Sequence, residues 1–208
     1  MKIMSLNMRG WGRADKRRRL KHSISLGNFD VCFIQETKRS GLTKKMVASI
    51  WGRGEFEFIS KDSEGNSGGI LCVWVSGMFE VDSTIIGDNF ICISAKFHDS
   101  ICHLVNVYSP CSLAGKRRLW EDLRRVRHEL GGDNWCVSGD FNAVLDRSER
   151  RGVSASSRTE MQEFKTLVED LELTDLPALG NKFTYFANDG VTMSRIDRFL
   201  ASKGFISR

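Results

Sequence analysis

The sequence predicts a mixed α/β sandwich, two packed β-sheets with helices outside. Two observations carry that expectation. Short apolar segments of strand length crowd the middle of the chain, while helical stretches recur at intervals along it. The connections include hairpin turns as well as helical crossovers, which argues against an all-parallel sheet.

Lys2 to Met8 reads as a first strand, and Asp15 to Leu26 as a helix with Leu20 and Ile24 under a basic face. Val31 to Gln35 is a compact apolar run, the pattern of a buried strand. A helix is expected over 43–51, then strands near 56–60, 69–75, 79–86, 90–97 and 101–108. Within 91–97, Ile91, Ile93, Ala95 and Phe97 alternate with Cys92, Ser94 and Lys96, the period of a half-buried strand. Gly87-Asp88-Asn89 supplies a turn.

The clearest helix covers 116–130, with Leu119, Leu123, Val126 and Leu130 on one stripe and Gly131-Gly132 at its end. Trp135 to Val137 is another buried strand. A second strong helix runs from about 160 to 171, with Thr159 and Gln162 at capping-box spacing. Strands near 183–186 and 195–200 follow. The 208 residues suit one domain, 1–208.

The chain carries 31 Lys and Arg against 26 Asp and Glu, a net charge of +5 that permits a polyanionic partner without demanding one. The basic residues fall in two runs, Lys16 to Lys21 and Lys116 to Arg127. A run of this kind on a helix is ordinarily a solvated face; Arg17, Arg18, Arg124 and Arg125 are the candidates for nucleic-acid contact. None of the six cysteines forms a Cys-x-x-Cys pair, which points to buried thiols rather than disulfides or a zinc site. No secretory or membrane-spanning stretch is evident, so no membrane partner is expected and the localisation expected by default is cytoplasmic or nuclear.

Polar side chains at the ends of buried strands mark the places where chemistry is expected, because a carboxylate or amide there costs desolvation. Asn7 ends the first strand, and Glu36 follows the second in Gln35-Glu36-Thr37. Asn106 and Tyr108 end another in Asn106-Val107-Tyr108-Ser109-Pro110. Asp140 and Asn142 follow the strand after the long helix, in Gly139-Asp140-Phe141-Asn142, and Asp197 stands in Arg195-Ile196-Asp197. Each alone has a plain reading: a turn residue, an Asx turn, a core tyrosine, a surface ion pair for Asp197 between two arginines. The set carries more than its members.

In this order the motifs resemble the endonuclease/exonuclease/phosphatase superfamily. Within it the chain looks most like the endonuclease domains of plant LINE-type (non-LTR) retrotransposons. Gly68-Gly69-Ile70, Asp175-Leu176, Gly180 and Phe183-Thr184-Tyr185 add to the likeness, which spans nearly the whole chain. The resemblance implies a four-layer α/β sandwich and a divalent-metal-dependent phosphodiesterase acting on DNA. It implies Glu36 as ligand of Mg²⁺ or Mn²⁺ with Asn7 close by, and Asp140 orienting or deprotonating the attacking water. It also implies that Asn142 holds the phosphate or that water and that Tyr108 contacts phosphate, as Thr184 could. Asp197 would orient a catalytic histidine.

The sequence departs from the family pattern at Arg9, where some repair nucleases carry an acid, and at Cys111, where many relatives have asparagine. Family members end with a Ser-Asp-His segment and a final strand. This sequence is expected to stop short of both, leaving the first strand without a neighbour and the domain incomplete. A monomer, or part of a longer polyprotein, is expected. The alternative reading is a catalytically inactive remnant that at most binds nucleic acid.

Overall fold

The computed structural model describes residues 1–65, 67–152 and 157–207. The first sheet is built from β1 (Ile3–Asn7), β2 (Val31–Gln35), β3 (Phe56–Glu64) and β4 (Ser67–Val75), in the order β1-β2-β4-β3. β1 runs parallel to β2, and the other pairings are antiparallel. α1 (Ala14–Gly27) and α2 (Lys44–Trp51) pack outside it.

The second sheet has six strands in the order β10-β13-β8-β7-β6-β5. They are β5 (Glu80–Ile86), β6 (Phe90–Phe97), β7 (Ser100–Tyr108), β8 (Trp135–Asp140), β10 (Thr174–Asp175) and β13 (Asp197–Ala201). Only β7 and β8 are parallel. α3 (Leu113–Leu130) and α4 (Arg158–Asp170) cover its outer face. A small third sheet joins β9 (Arg150–Arg151), β11 (Tyr185–Phe186) and β12 (Met193–Ser194), and the short α5 (Lys203–Ile206) follows β13.

Three hydrophobic clusters match this layering. Between the sheets lie Phe33, Ile70, Trp74, Ile91, Ile93 and Leu104. Leu20, Ile24, Val47, Ile50 and Trp51 pack the first helical layer onto its sheet, and Leu119, Trp120, Leu123, Phe164 and Leu167 do so for the second. The molecule is thus a four-layer α/β sandwich, two mixed sheets flanked by helices. Each fully buried large side chain contributes about 1.5–3 kcal/mol.

The continuous apolar runs of β2 and β8 follow from burial on both faces, whereas β6, whose alternation suggested a half-buried strand, is buried on both faces from Phe90 to Ala95. β1 forms one edge of its sheet, and Leu6 on it is exposed. Five of the six cysteines are buried, Cys111 is exposed, and none of the six is in a disulfide. Among the described residues no helix is long and apolar enough to cross a membrane.

Some boundaries differ from the sequence reading. α3 starts at Leu113, capped by Ser112, whose hydroxyl accepts from Gly115 N at 3.2 Å. α4 is capped by Ser157, which accepts from Glu160 N at 3.0 Å, and not by Thr159. Ser157 has the extended backbone a cap requires, and Thr159 already lies in the helix. The capping box is instead at the 3-10 turn Arg147–Glu149, between Asp146 and Glu149.

Candidate active site

Strand register gathers the polar strand ends at one edge of the sandwich. Parallel pairing sets Asn7 opposite Gln35, so Glu36 emerges beside the end of β1. The parallel pair β7–β8 sets Tyr108 opposite Asp140, and antiparallel β13 sets Asp197 opposite the same residue. Asn7 Nδ2 donates to Asp140 Oδ2 at 2.9 Å, joining the two sheets across the top of the core. Beneath that link, buried Asn106 accepts from Gln35 Nε2 at 2.7 Å and donates to Leu71 O at 3.1 Å.

The backbone here is unusual for its residue types. Arg9, Glu36, Lys38 and Asn142 all have left-handed φ, between 46° and 54°. Such conformations cost energy and persist where surrounding bonds impose them. At the end of β8, Gly139 has φ 149°, and a Cβ there would stand 1.9 Å from Val107 O. Only glycine lets β8 approach β7 so closely just before Asp140.

Asn7, Glu36, Tyr108, Asp140, Asn142, Thr184 and Asp197 all line one cavity of about 650 Å³. Asp140 is buried. Besides the Asn7 bond, its Oδ1 accepts from Asn142 N at 2.9 Å. Burial, reinforced by the charge of Asp197, pushes its carboxyl up to about 6, against the pull of those two hydrogen bonds. Burial also raises the Asp197 carboxyl, opposed by Thr184 and by the charge of Arg9. Tyr108 is raised well above the ordinary phenol range by burial and by the charges of Glu36 and Asp140, so its hydroxyl stays protonated.

Asn142 Nδ2 donates to Ser109 O at 2.7 Å, and Lys116 Nζ holds Asn142 O at 2.6 Å, tying the loop after β8 to α3. Thr184 Oγ1 accepts from Ile196 N and Asp197 N at 3.1 and 3.0 Å. Arg195 and Arg198, flanking Asp197 in sequence, turn away from it. Both pair with Glu149 and Asp175 in a largely buried network. The ion pair that sequence neighbours suggested for Asp197 does not form, because those arginines satisfy other carboxylates.

The four arginines read as nucleic-acid contacts are not brought to the cavity. Arg17 donates to the carbonyls of Trp11 and Gly12, and Arg18 is exposed on α1. On α3, Arg124 pairs with Asp170 of α4 at 2.7 Å, and Arg125 with Asp122. The cavity takes its cationic lining from Arg9 and Arg150 instead. The Arg9 guanidinium lies 5.1 Å from the Tyr185 ring centre, and Arg150 Nε donates to Ser194 Oγ at 3.1 Å. No motif marks Arg150; the pairing of β9 with β12 places it opposite Ser194.

Among the described residues no group of three His, Cys, Asp or Glu side chains stands ready to hold a metal. Beside the end of β1 the oxygen donors are the Glu36 carboxylate and the Asn7 amide oxygen, which already accepts from Arg9 N at 3.0 Å, and the Asp140 and Asp197 carboxylates line the same cavity. An all-oxygen set with one carboxylate fits a Mg²⁺-type ion that keeps several waters and completes its shell with substrate phosphate. It does not fit a soft or fully protein-caged metal.

A model of the endonuclease/exonuclease/phosphatase family matches residues 4–208. Among solved structures, the chain is similar to the endonuclease domain of TRAS1, a telomere-specific non-LTR retrotransposon. That match has 12% identity and TM-score 0.74, covering 99% of this chain and 87% of that one. It is also similar to the 3'-5' exonuclease NExo from Neisseria meningitidis, at 19% identity and TM-score 0.79, covering 100% and 89%. The AP endonuclease LMAP from Leishmania major matches at 14% identity and TM-score 0.76, covering 99% and 80%. At these identities the structural likenesses speak for the fold, whereas the family model extends over almost every residue of the sandwich and its polar strand ends. The chain belongs to the endonuclease/exonuclease/phosphatase family.

Proposed function

We propose that this chain is a divalent-metal-dependent phosphodiesterase of DNA endonuclease type, nicking DNA as the endonuclease domains of LINE-type retrotransposons do. The observation that supports it best is the convergence of Asn7, Glu36, Tyr108, Asp140 and Asn142 on one cavity, with Asp140 held by Asn7 and the Asn142 amide. Glu36, with Asn7 beside it, would hold Mg²⁺ or Mn²⁺. Such an ion neutralises charge building on a scissile phosphate and its leaving oxygen.

The protein groups then divide the remaining work. Asp140 is ionised at neutral pH yet more basic than an ordinary aspartate, the condition for taking a proton from an attacking water. Two hydrogen bonds fix its orientation. Tyr108, kept protonated, can donate to a phosphate oxygen. Asn142 uses one amide hydrogen on Ser109 O and retains a second for the phosphate or the water. Asp197, beside Asp140, and Thr184 line the same cavity, and Arg9 and Arg150 supply positive charge for a polyanion.

Plasmid nicking in Mg²⁺, comparing the chain with its Asp140→Ala variant, tests the reading. Nicking that disappears in the variant supports it. Equal nicking by both points to a contaminant and defeats it. DNA binding without nicking by either supports a nucleic-acid-binding role instead.

A further inference from the structure

Glu36 already has a cation. Lys38 Nζ lies 2.8 Å from Glu36 Oε1. Both residues stand in left-handed backbone, φ 54° and 50°, with fully buried Thr37 between them. The loop is pinned from both sides. Gly10 N and Trp11 N donate to the carbonyls of Glu36 and Thr37, and Thr37 N and Lys38 N donate to those of Gly69 and Gly68. The stem of Lys38 passes beside Gly10, with its Cδ 3.6 Å from where a Cβ at that position would stand. The Glu36 side chain is only 16% exposed and that of Lys38 is 40% exposed. The carboxylate is therefore the fixed partner, and the ammonium is the one with open water to move into.

We propose that Lys38 is an internal competitor of the divalent ion, its ammonium taking the metal's electrostatic place on Glu36 and leaving it when metal binds. The inference rests on reading Glu36 as the metal ligand. Among the described residues Lys38 forms an ion pair only with Glu36, and an ammonium and a divalent ion on one carboxylate would repel each other, so the two states oppose each other. The competent form is then only a fraction of the metal-free protein, and apparent metal affinity falls by that fraction. For a partly exposed pair the effect is roughly two- to fivefold.

The test is Mn²⁺ binding without DNA, read as loss of the free-ion electron paramagnetic resonance signal, on the full chain and on Lys38→Met, Lys38→Arg and Glu36→Gln. Lys38→Met is expected to bind Mn²⁺ about two- to fivefold more tightly than the unaltered chain, and Lys38→Arg about equally. Glu36→Gln should remove the site. If Lys38→Met binds no more tightly while Glu36→Gln still abolishes binding, the competition is refuted and the metal reading survives. If Glu36→Gln binds like the unaltered chain, or none of the four binds, the metal reading falls and the competition with it. Thermal melts confirm that each variant is folded.

Discussion

Replacing Asp140 with asparagine should stabilise the metal-free protein while removing activity. The carboxyl is raised from 3.8 to about 6 on folding, chiefly by burial and by Asp197. A rise of roughly two units corresponds to about 3 kcal/mol of destabilisation at neutral pH, where the buried group is ionised. Asparagine removes that charge at nearly constant volume. It also spoils one hydrogen bond, because Asp140 accepts at both oxygens, from Asn7 and from Asn142 N. An amide can accept at only one, a loss of about 1 kcal/mol. The net gain is about 1–2 kcal/mol, or roughly 3–6 °C in Tm for a domain of this size.

The gain has a definite pH dependence. Below about pH 4 both folded and unfolded chains bind the proton and Asp140 contributes nothing. As pH rises from about 4 through 6, the unfolded chain releases the proton first, and the stability that the proton gives is lost. Asp140→Asn should therefore be less stable than the unaltered chain by about 1 kcal/mol below about pH 4, where only the lost hydrogen bond counts, and reach its full advantage by about pH 7. Thermal or urea unfolding in EDTA at several pH values measures it, and a parallel nicking assay should show a loss of about 100-fold or more. A variant less stable than the unaltered chain at neutral pH, or a difference independent of pH, would refute the reasoning.

Three further outcomes are expected. Gly139→Ala should destabilise the fold by on the order of 3 kcal/mol, because its Cβ meets the Val107 carbonyl in a backbone region that disfavours side chains; an unchanged urea midpoint would contradict this. Asn106→Leu should cost about 2 kcal/mol, since Leu71 O and one donor of Gln35 lose their buried partner; equilibrium unfolding reads it directly. The double variant Arg124→Glu/Arg125→Glu should leave DNA affinity within roughly a factor of three, since both side chains are paired on the helical layer. A reduction of the salt slope by about two would show instead that they contact phosphate.

Much of the layering was legible because burial on both faces writes continuous apolar runs. Val31–Gln35 and Trp135–Val137 read as core strands, and the stripe of Leu119, Leu123 and Val126 reads as a packed helix. The candidate site was legible for a related reason: a carboxylate or amide after such a run stands out against its neighbours, as Glu36 and Asp140 do. Helix starts were less so, because Ser157 and Thr159 are both capping residue types and only backbone geometry separates them. The partners of the second basic run were not legible, because Glu160, Glu163 and Asp170, which pair with Lys116, Arg117 and Arg124, lie some 44–46 residues away along the chain.

By itself the sequence determined the element types, the sandwich class and the identity of the polar strand ends, since these depend on local periodicity and on the cost of placing a polar group beside an apolar run. Tertiary structure alone decided which of those ends meet. The parallel register of β7 with β8 and the antiparallel register of β13 with β8 put Tyr108 and Asp197 opposite Asp140. Packing of the two sheets put Asn7 within a hydrogen bond of the same carboxylate. Pairing of β9 with β12 brought Arg150 to the cavity, the second sheet and its flanking turn gave Arg195 and Arg198 to Glu149 and Asp175, and the left-handed loop after β2 set Lys38 on Glu36. Pairing of charges depends on distance through space, and residues far apart in the chain acquire that distance only when the sheets close.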